Sequence, residues 1–189
     1  AVDPLYPDTI YIGTGDRDAS DSYGRGIFKS TDGGVSWQPA SSGMGNTIVG
    51  RLIIDPNNHQ TLLAATNSGI FRSTNGGDSW TRTIAGNFKD IDLCFDNPNY
   101  VYAATDGNCK FYRSTDNGQS FTHISSILPT GQRRMVIGTT KADSNMVYVL
   151  ITESRKFKGL YLSTDKGLTF TTMSTTPNIM DYSANGSGT

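Results

Sequence analysis

Three aspartates crowd one short segment of the chain, Asp16, Asp18 and Asp21. Carboxylates at that density would gather oxygen ligands around a hard cation such as Ca²⁺, the one cofactor the sequence suggests. The EF-hand pattern is not met, because the sixth position is not glycine and the twelfth is not glutamate. The other reading of the segment is a solvated acidic loop whose side chains cap turns. Two cysteines, Cys94 and Cys109, read either as buried thiols or as a disulfide of an exported protein. His59 and His123 are isolated, with neither metal-type spacing nor a triad partner, so turn and surface roles fit them better.

The elements that must position these residues announce themselves by repetition. An eight-residue phrase occurs four times, as Ser30-Thr-Asp-Gly-Gly-Val-Ser-Trp37, Ser73-Thr-Asn-Gly-Gly-Asp-Ser-Trp80, Ser114-Thr-Asp-Asn-Gly-Gln-Ser-Phe121 and Ser163-Thr-Asp-Lys-Gly-Leu-Thr-Phe170. The copies start 43, 41 and 49 residues apart. A period of that size means stacked copies of one supersecondary unit. Within the phrase, Ser30, Ser73, Ser114 and Ser163 open a turn. Asp32, Asn75, Asp116 and Asp165 accept backbone hydrogen bonds in it. Gly34, Gly77, Gly118 and Gly167 supply positive φ. Trp37, Trp80, Phe121 and Phe170 are apolar anchors for a neighbouring layer. Asn75 should cap its turn more weakly than aspartate.

The flanks repeat as well. Alternating runs at 9–14, 61–66, 100–105 and 146–151 are rich in β-branched and aromatic residues and read as strands. Shorter strands lead into each phrase at 26–29, 69–72, 111–113 and 159–162, and a third strand begins at its last aromatic. A fourth lies between units at 48–55, 90–96 and 133–139, where Cys94 falls in the slot that Ile53 fills. Four short antiparallel strands per unit predict an all-β fold, a β-propeller of about four blades.

The phrase resembles the Asp-box, or bacterial neuraminidase repeat, and the repeats cover nearly the whole chain. Residues 14–34 and 177–188 also look like segments of large secreted bacterial proteins with a sortilin-type Asp-box propeller, many of which end in a sorting domain for type IX secretion. The resemblance implies a secreted, extracellular or cell-surface location. It implies a non-catalytic recognition or structural role toward protein or polysaccharide, with box residues forming turns away from the binding face. No sorting domain is present in the chain, so the secretion route rests on the propeller alone. Asp-box propellers also include sialidases and other glycoside hydrolases, which makes an enzyme with catalytic residues partly outside this chain the competing reading. A sialidase needs an arginine triad, a Tyr/Glu nucleophile pair and an Asp acid/base, and its Arg-Ile-Pro motif is absent here. Arg133 and Arg134 could face a central cavity. The single glutamate, Glu153, could pair with an aspartate for glycosidase chemistry. An inward pair of carboxylates at catalytic distance, or an arginine cluster, would favour the enzyme. Exposed aromatics such as Tyr23, Tyr112 or Tyr161 on a loop-covered face would favour binding.

Composition narrows the partners. The net charge is −1 and the basic residues are scattered, so nucleic acid is not expected. No apolar run is long enough for a membrane-spanning helix, and the start does not read as a signal peptide. Residues 1–176 read as blades and 177–189 as a connecting loop or disordered tail. The chain opens at Asp3-Pro4, just past where a between-unit strand should end, and its last stretch holds no equivalent of Arg51-Leu-Ile-Ile-Asp55. The first blade should therefore lack its fourth strand, and the expectation is an open part of a larger propeller of roughly six to ten blades. Its partners would be the remaining blades, from the same or another chain. A closed four-bladed ring would instead pair the tail, 179–189, beside 9–14.

Overall fold

The computed structural model describes residues 1–16, 22–125, 127–129, 131, 134–153 and 156–179. The first sheet holds β1 (Ile10–Gly13), β2 (Ile27–Ser30) and β3 (Gln38–Pro39). The second holds β4 (Val49–Ile54), β5 (Leu62–Thr66), β6 (Gly69–Ser73) and β7 (Thr81–Ala85). The third holds β8 (Phe88–Leu93), β9 (Val101–Thr105), β10 (Phe111–Ser114) and β11 (Thr122–His123). The fourth holds β12 (Arg134–Thr139), β13 (Val147–Glu153), β14 (Lys156–Ser163) and β15 (Thr171–Ser174). Each sheet runs antiparallel in chain order, so each is one blade of a partial propeller. The inner strands β4, β8 and β12 pack side by side, and β1 packs on β4.

The first blade keeps a remnant of its inner strand. Val2 bridges Ile10, and Ala1 and Tyr11 exchange two hydrogen bonds of 2.8 Å. Asp3 N–H donates to Thr9 at 3.0 Å, as Asp55 does to Thr61 at 2.9 Å and Cys94 to Tyr100 at 3.0 Å. This register corrects the repeat alignment. Cys94 stands in the slot of Asp3 and Asp55, not that of Ile53. Aligning Asp96-Asn-Pro98 with Asp55-Pro56 gives a different phase, yet Asp96 lies inside the connection rather than at its start.

Apolar side chains fill the spaces between blades. Leu62, Ala64, Phe71 and Trp80 of the second blade pack with Tyr11, Ile27 and Ala40 of the first. Leu63, Ala65 and Ile70 meet Val101 and Ala103 of the third. Tyr102, Ala104 and Phe111 meet Val147, Val149, Tyr161 and Phe170 of the fourth. Phe111 and Phe170 make an edge contact with centroids 5.0 Å apart. Each fully buried side chain of this size contributes roughly 1.5–3 kcal/mol, so stability resides between blades more than within them. The alternation of period two makes this possible, because each middle strand offers one face to the preceding blade and one to the next.

The four box turns share one geometry. Ser30 donates its hydroxyl to Asp32 Oδ1 at 2.7 Å and accepts the Gly34 N–H at 2.8 Å. Asp32 Oδ1 accepts the Ser36 N–H at 2.9 Å, and Oδ2 accepts the Ser36 hydroxyl at 2.5 Å. Asp116 and Asp165 repeat these bonds with Ser120 and Thr169. Asn75 keeps the acceptor bonds on Oδ1 but reverses the last one, donating Nδ2–H to Ser79 Oγ at 2.9 Å. Bonds from the Ser36 hydroxyl and N–H, then from Ser30, pull Asp32 down to about 2. Burial works against Asp165, but its bonds from Thr169 and Ser163 outweigh it and bring that carboxyl to about 2 as well. A carboxyl lowered on folding stabilises above its unfolded pKa and loses that contribution as pH falls through the folded one. Asn75→Asp is therefore expected to add about 0.5 kcal/mol at pH 7 through charge-assisted bonds. Urea midpoints at pH 7 and pH 2 check this, since most of the gain should be lost at the lower pH.

A basic residue before the box serine ties each blade to the next. Lys29 Nζ donates to the Gly76 carbonyl at 2.9 Å. Arg72 donates to the Asn117 carbonyl and to Asn117 Oδ1, both at 2.9 Å. Arg113 Nε donates to the Lys166 carbonyl at 2.7 Å. The acceptor is always the fourth box residue, held with positive φ at Gly33, Gly76, Asn117 and Lys166. The fifth, always glycine, also has positive φ, and in the last three boxes it lies against the preceding blade. A Cβ there would stand 3.2 Å from Tyr11 at Gly77, 2.5 Å from Leu63 at Gly118 and 2.9 Å from Tyr102 at Gly167. This explains why asparagine and lysine are accepted at the fourth position while the fifth is glycine in every copy.

Candidate functional site

The inner strands carry the densest charge. Arg51 on β4 reaches across to β8, with Nη1 2.9 Å from Asp90 Oδ1 and Nη2 3.2 Å from Asp92 Oδ1. Asp90 Oδ2 accepts the Ile137 N–H of β12 at 2.7 Å. Asp92 Oδ2 accepts the Thr139 N–H and hydroxyl, each at 3.1 Å. An inner strand presents an unpaired row of N–H groups toward the propeller axis. Here the two carboxylates answer that row on β12, and Arg51 answers the carboxylates. Both aspartate side chains are nearly buried, at 7% and 11% exposure. Burial pushes the Asp92 carboxyl up, against the pull of Arg51 and the Thr139 N–H.

This is an inward pair of carboxylates, the arrangement expected of an enzyme, yet each oxygen set is occupied by a structural partner. The pair did not stand out in the sequence as a site. The available signal was the alternation Asp90-Ile-Asp92-Leu, which sets two charges on one face of a strand whose equivalents are apolar or basic.

A pocket of about 170 Å³ opens where the hairpins of the first three blades converge, lined by Asp16, Ile48, Gly50, Asn67, Asn87, Phe88, Lys89 and Asp106. In the first three blades the β5–β6-type hairpin is closed by a threonine hydroxyl. Thr14 Oγ1 accepts the Arg25 N–H at 2.7 Å, Thr66 Oγ1 the Gly69 N–H at 3.1 Å and Thr105 Oγ1 the Lys110 N–H at 2.9 Å. Asn67 accepts the Ile48 N–H at 3.1 Å, which fixes the entry to β4 against the hairpin. Lys89 Nζ lies 3.1 Å from Asp106 Oδ1, and Asn87 Nδ2 donates to Asp106 Oδ2 at 3.3 Å. The first-blade connection approaches closely enough that a Cβ on Gly24 would stand 2.0 Å from the Thr47 carbonyl. Tyr23, on the same connection as Asp16, is 96% exposed. Carboxylates, carboxamides and an ammonium around an apolar floor can hold a ligand with several hydroxyl, amide or amine groups.

Strand direction places this pocket at the end of the blades opposite the box turns. The sixteen box residues named from the sequence therefore lie away from it. Of the proposed calcium ligands, Asp16 lines the pocket, while Asp18 and Asp21 lie outside the described residues. Among the described residues no cluster of three metal-type side chains forms. Arg133 and the 180–189 part of the tail also lie outside them. Asn178, just past the blades, accepts the Phe157 N–H at 2.9 Å and so stays on the fourth blade. Glu153 pairs with Lys158 at 2.8 Å. His59 Nδ1 lies 2.5 Å from Asp3 Oδ1, tying the second blade to the first. His123 packs against Tyr112, which with Tyr161 belongs to blade packing rather than to an exposed platform.

The disulfide reading is corrected. Cys94 and Cys109 are buried thiols in one cluster without a bridge between them, and Cys94 donates to the Ser144 carbonyl at 3.5 Å. Small apolar side chains are what that space accommodates.

The sequence profile of the family described as Sortilin-Vps10 (Sortilin, neurotensin receptor 3) matches residues 68–187. Among solved structures, the GH74 enzyme of Niastella koreensis superposes with a TM-score of 0.73 and 21% identity over 90% of this chain and 28% of its own. The GH74 xyloglucanase of Xanthomonas campestris gives 0.69 and 14%, over 92% of this chain and 29% of its own. An auxiliary nutrient binding protein of Bacteroides thetaiotaomicron gives 0.60 and 12%, over 86% and 36%. The chain thus spans between a quarter and about a third of the length of these structures. No curated protein matches it in sequence. Among the described residues no helix is long and apolar enough to cross a membrane.

Proposed function

The chain belongs to the Sortilin-Vps10 family, and from that premise we propose that it is a non-catalytic recognition section of an exported propeller, engaging an extracellular protein or polysaccharide through its hairpin face. The observation that carries this reading is the polar pocket between three hairpins, with Tyr23 exposed on the connection beside it. An exposed aromatic next to convergent polar groups suits a sugar ring or a peptide side chain. The same fold occurs in a nutrient binding protein and in a xyloglucanase, so the fold by itself does not choose between binding and hydrolysis. The inner carboxylates argue for binding, because Asp90 and Asp92 are engaged by Arg51, Ile137 and Thr139.

Glycan and peptide arrays probed with the full chain test this directly. Asp106→Ala and Tyr23→Ala should each weaken the captured ligand at least about tenfold, roughly 1.4 kcal/mol. Binding unaffected by both changes, or release of shortened glycan from the array, would overturn the reading.

A further inference from the structure

The outer face of the first blade is built like a blade interface with one side missing. Ile10, Ile12, Phe28 and Trp37 hold the places that Leu62, Ala64, Phe71 and Trp80 hold in the second blade, as the strand registers show. The second-blade set is buried, at 0%, 0%, 3% and 5% exposure. Ile12 is 42% exposed and the other three first-blade residues are only half-buried. The turn differs in the same direction. Gly76 and Gly77 are buried under the first blade, whereas Gly33 is exposed and Gly34 half-buried, with nearly the same backbone at φ 71° and 92° against 66° and 88°. Lys29, Arg72 and Arg113 fill the acceptor carbonyl of the following box, while among the described residues no side chain reaches that of Gly33.

We propose that this face receives one further Asp-box blade, which carries lysine or arginine immediately before its box serine and donates it to the Gly33 carbonyl. The occupant is specified by continuity with three interfaces of the same design inside the chain. Its middle strands must supply an apolar face for Ile12, Phe28 and Trp37, and its cation must reach a left-handed turn already in the accepting conformation. A second copy offering its fourth blade does not meet this description, because Leu162 stands where the cation belongs. The inference is independent of what the hairpin face binds.

The chain contains the means to test it. The register that makes Ala1 equivalent to Asp92 allows a copy of residues 57–91 to be joined directly to Ala1, placing an Arg72-bearing blade on the open face. Trp80→Phe within the copy, matching Phe121 and Phe170, leaves Trp37 as the solvent-accessible tryptophan, since the native Trp80 is buried. Acrylamide quenching of Trp37 should fall at least about threefold in the prefixed chain and its emission should shift to shorter wavelength. Arg72→Leu in the copy should return a good part of the quenching. A prefixed chain quenched like the native one overturns the proposal, as does equal protection by a prefix of shuffled sequence. Concentration-dependent protection of the unprefixed chain would assign the face to a second copy instead.

Discussion

Gly118→Ala is expected to lower the unfolding free energy by about 3 kcal/mol. Two costs combine. The residue sits at φ 74°, where a Cβ costs roughly 1–2 kcal/mol. That Cβ would also stand 2.5 Å from Leu63 Cδ2. Leu63 is 1% exposed within the cluster between the second and third blades, so it has little room to turn away, and overpacking of this kind costs roughly 1–3 kcal/mol. Gly34→Ala supplies the control. Its φ is 92°, but the nearest atoms to its Cβ are 3.5 Å and 3.8 Å away, in Trp37 and Ile10. It should cost only the backbone part, about 1.5 kcal/mol. Denaturant titration of both variants measures the difference, which is the contribution of the blade contact. Equal losses would show that the box glycine serves its turn alone.

Arg51→Met should cost about 3 kcal/mol at pH 7, because it leaves Asp90 and Asp92 nearly buried without their cation. The lower end of the range for broken buried pairs applies, since the Arg51 side chain is 37% exposed. The pH dependence separates this loss from a packing defect. Burial already raises the Asp92 carboxyl in the native chain, and removing Arg51 raises it further. A carboxyl raised on folding binds its proton more tightly in the native state, so this group gains stability as pH falls. That is the reverse of Asp32 and Asp165 in the boxes. The deficit of the variant relative to the parent should therefore shrink between pH 7 and pH 4. A deficit constant over that window would mean that Arg51 acts through its hydrocarbon stem.

The box turns were legible because they are local. Ser30, Asp32, Gly34 and Ser36 lie within seven residues, and their hydrogen bonds close inside that span, so residue type and spacing are sufficient. The strands were legible for a similar reason, since period-two alternation is a property of consecutive residues. The phase of the inner strands was not. The sequence aligns Cys94 with Ile53 through the Asp-Pro and Asp-Asn-Pro phrases, and only the pairing of Cys94 with Tyr100 puts it in the place of Asp55. Both readings of Cys94 and Cys109 stay open in the sequence for a related reason, as spacing along the chain does not show which way two side chains point.

The pocket and the inner charge ladder were less visible still. Asp16, Asn67 and Asp106 come from three blades, and no pattern within one repeat connects them. Arg51 and Asp90 are 39 residues apart. Lys29, Arg72 and Arg113 share a repeat position, but their role depends on the next blade's turn arriving at the right distance.

By itself, then, the sequence determined the repeating unit, its turn chemistry and the propeller it builds, since those follow from short-range sterics and hydrogen bonding copied four times. Only the tertiary structure decided where the hairpins meet, which carboxylates are engaged and which blade face is left half-covered. Those outcomes depend on how far one blade is rotated from the next, and that rotation is set by packing between residues distant in the chain.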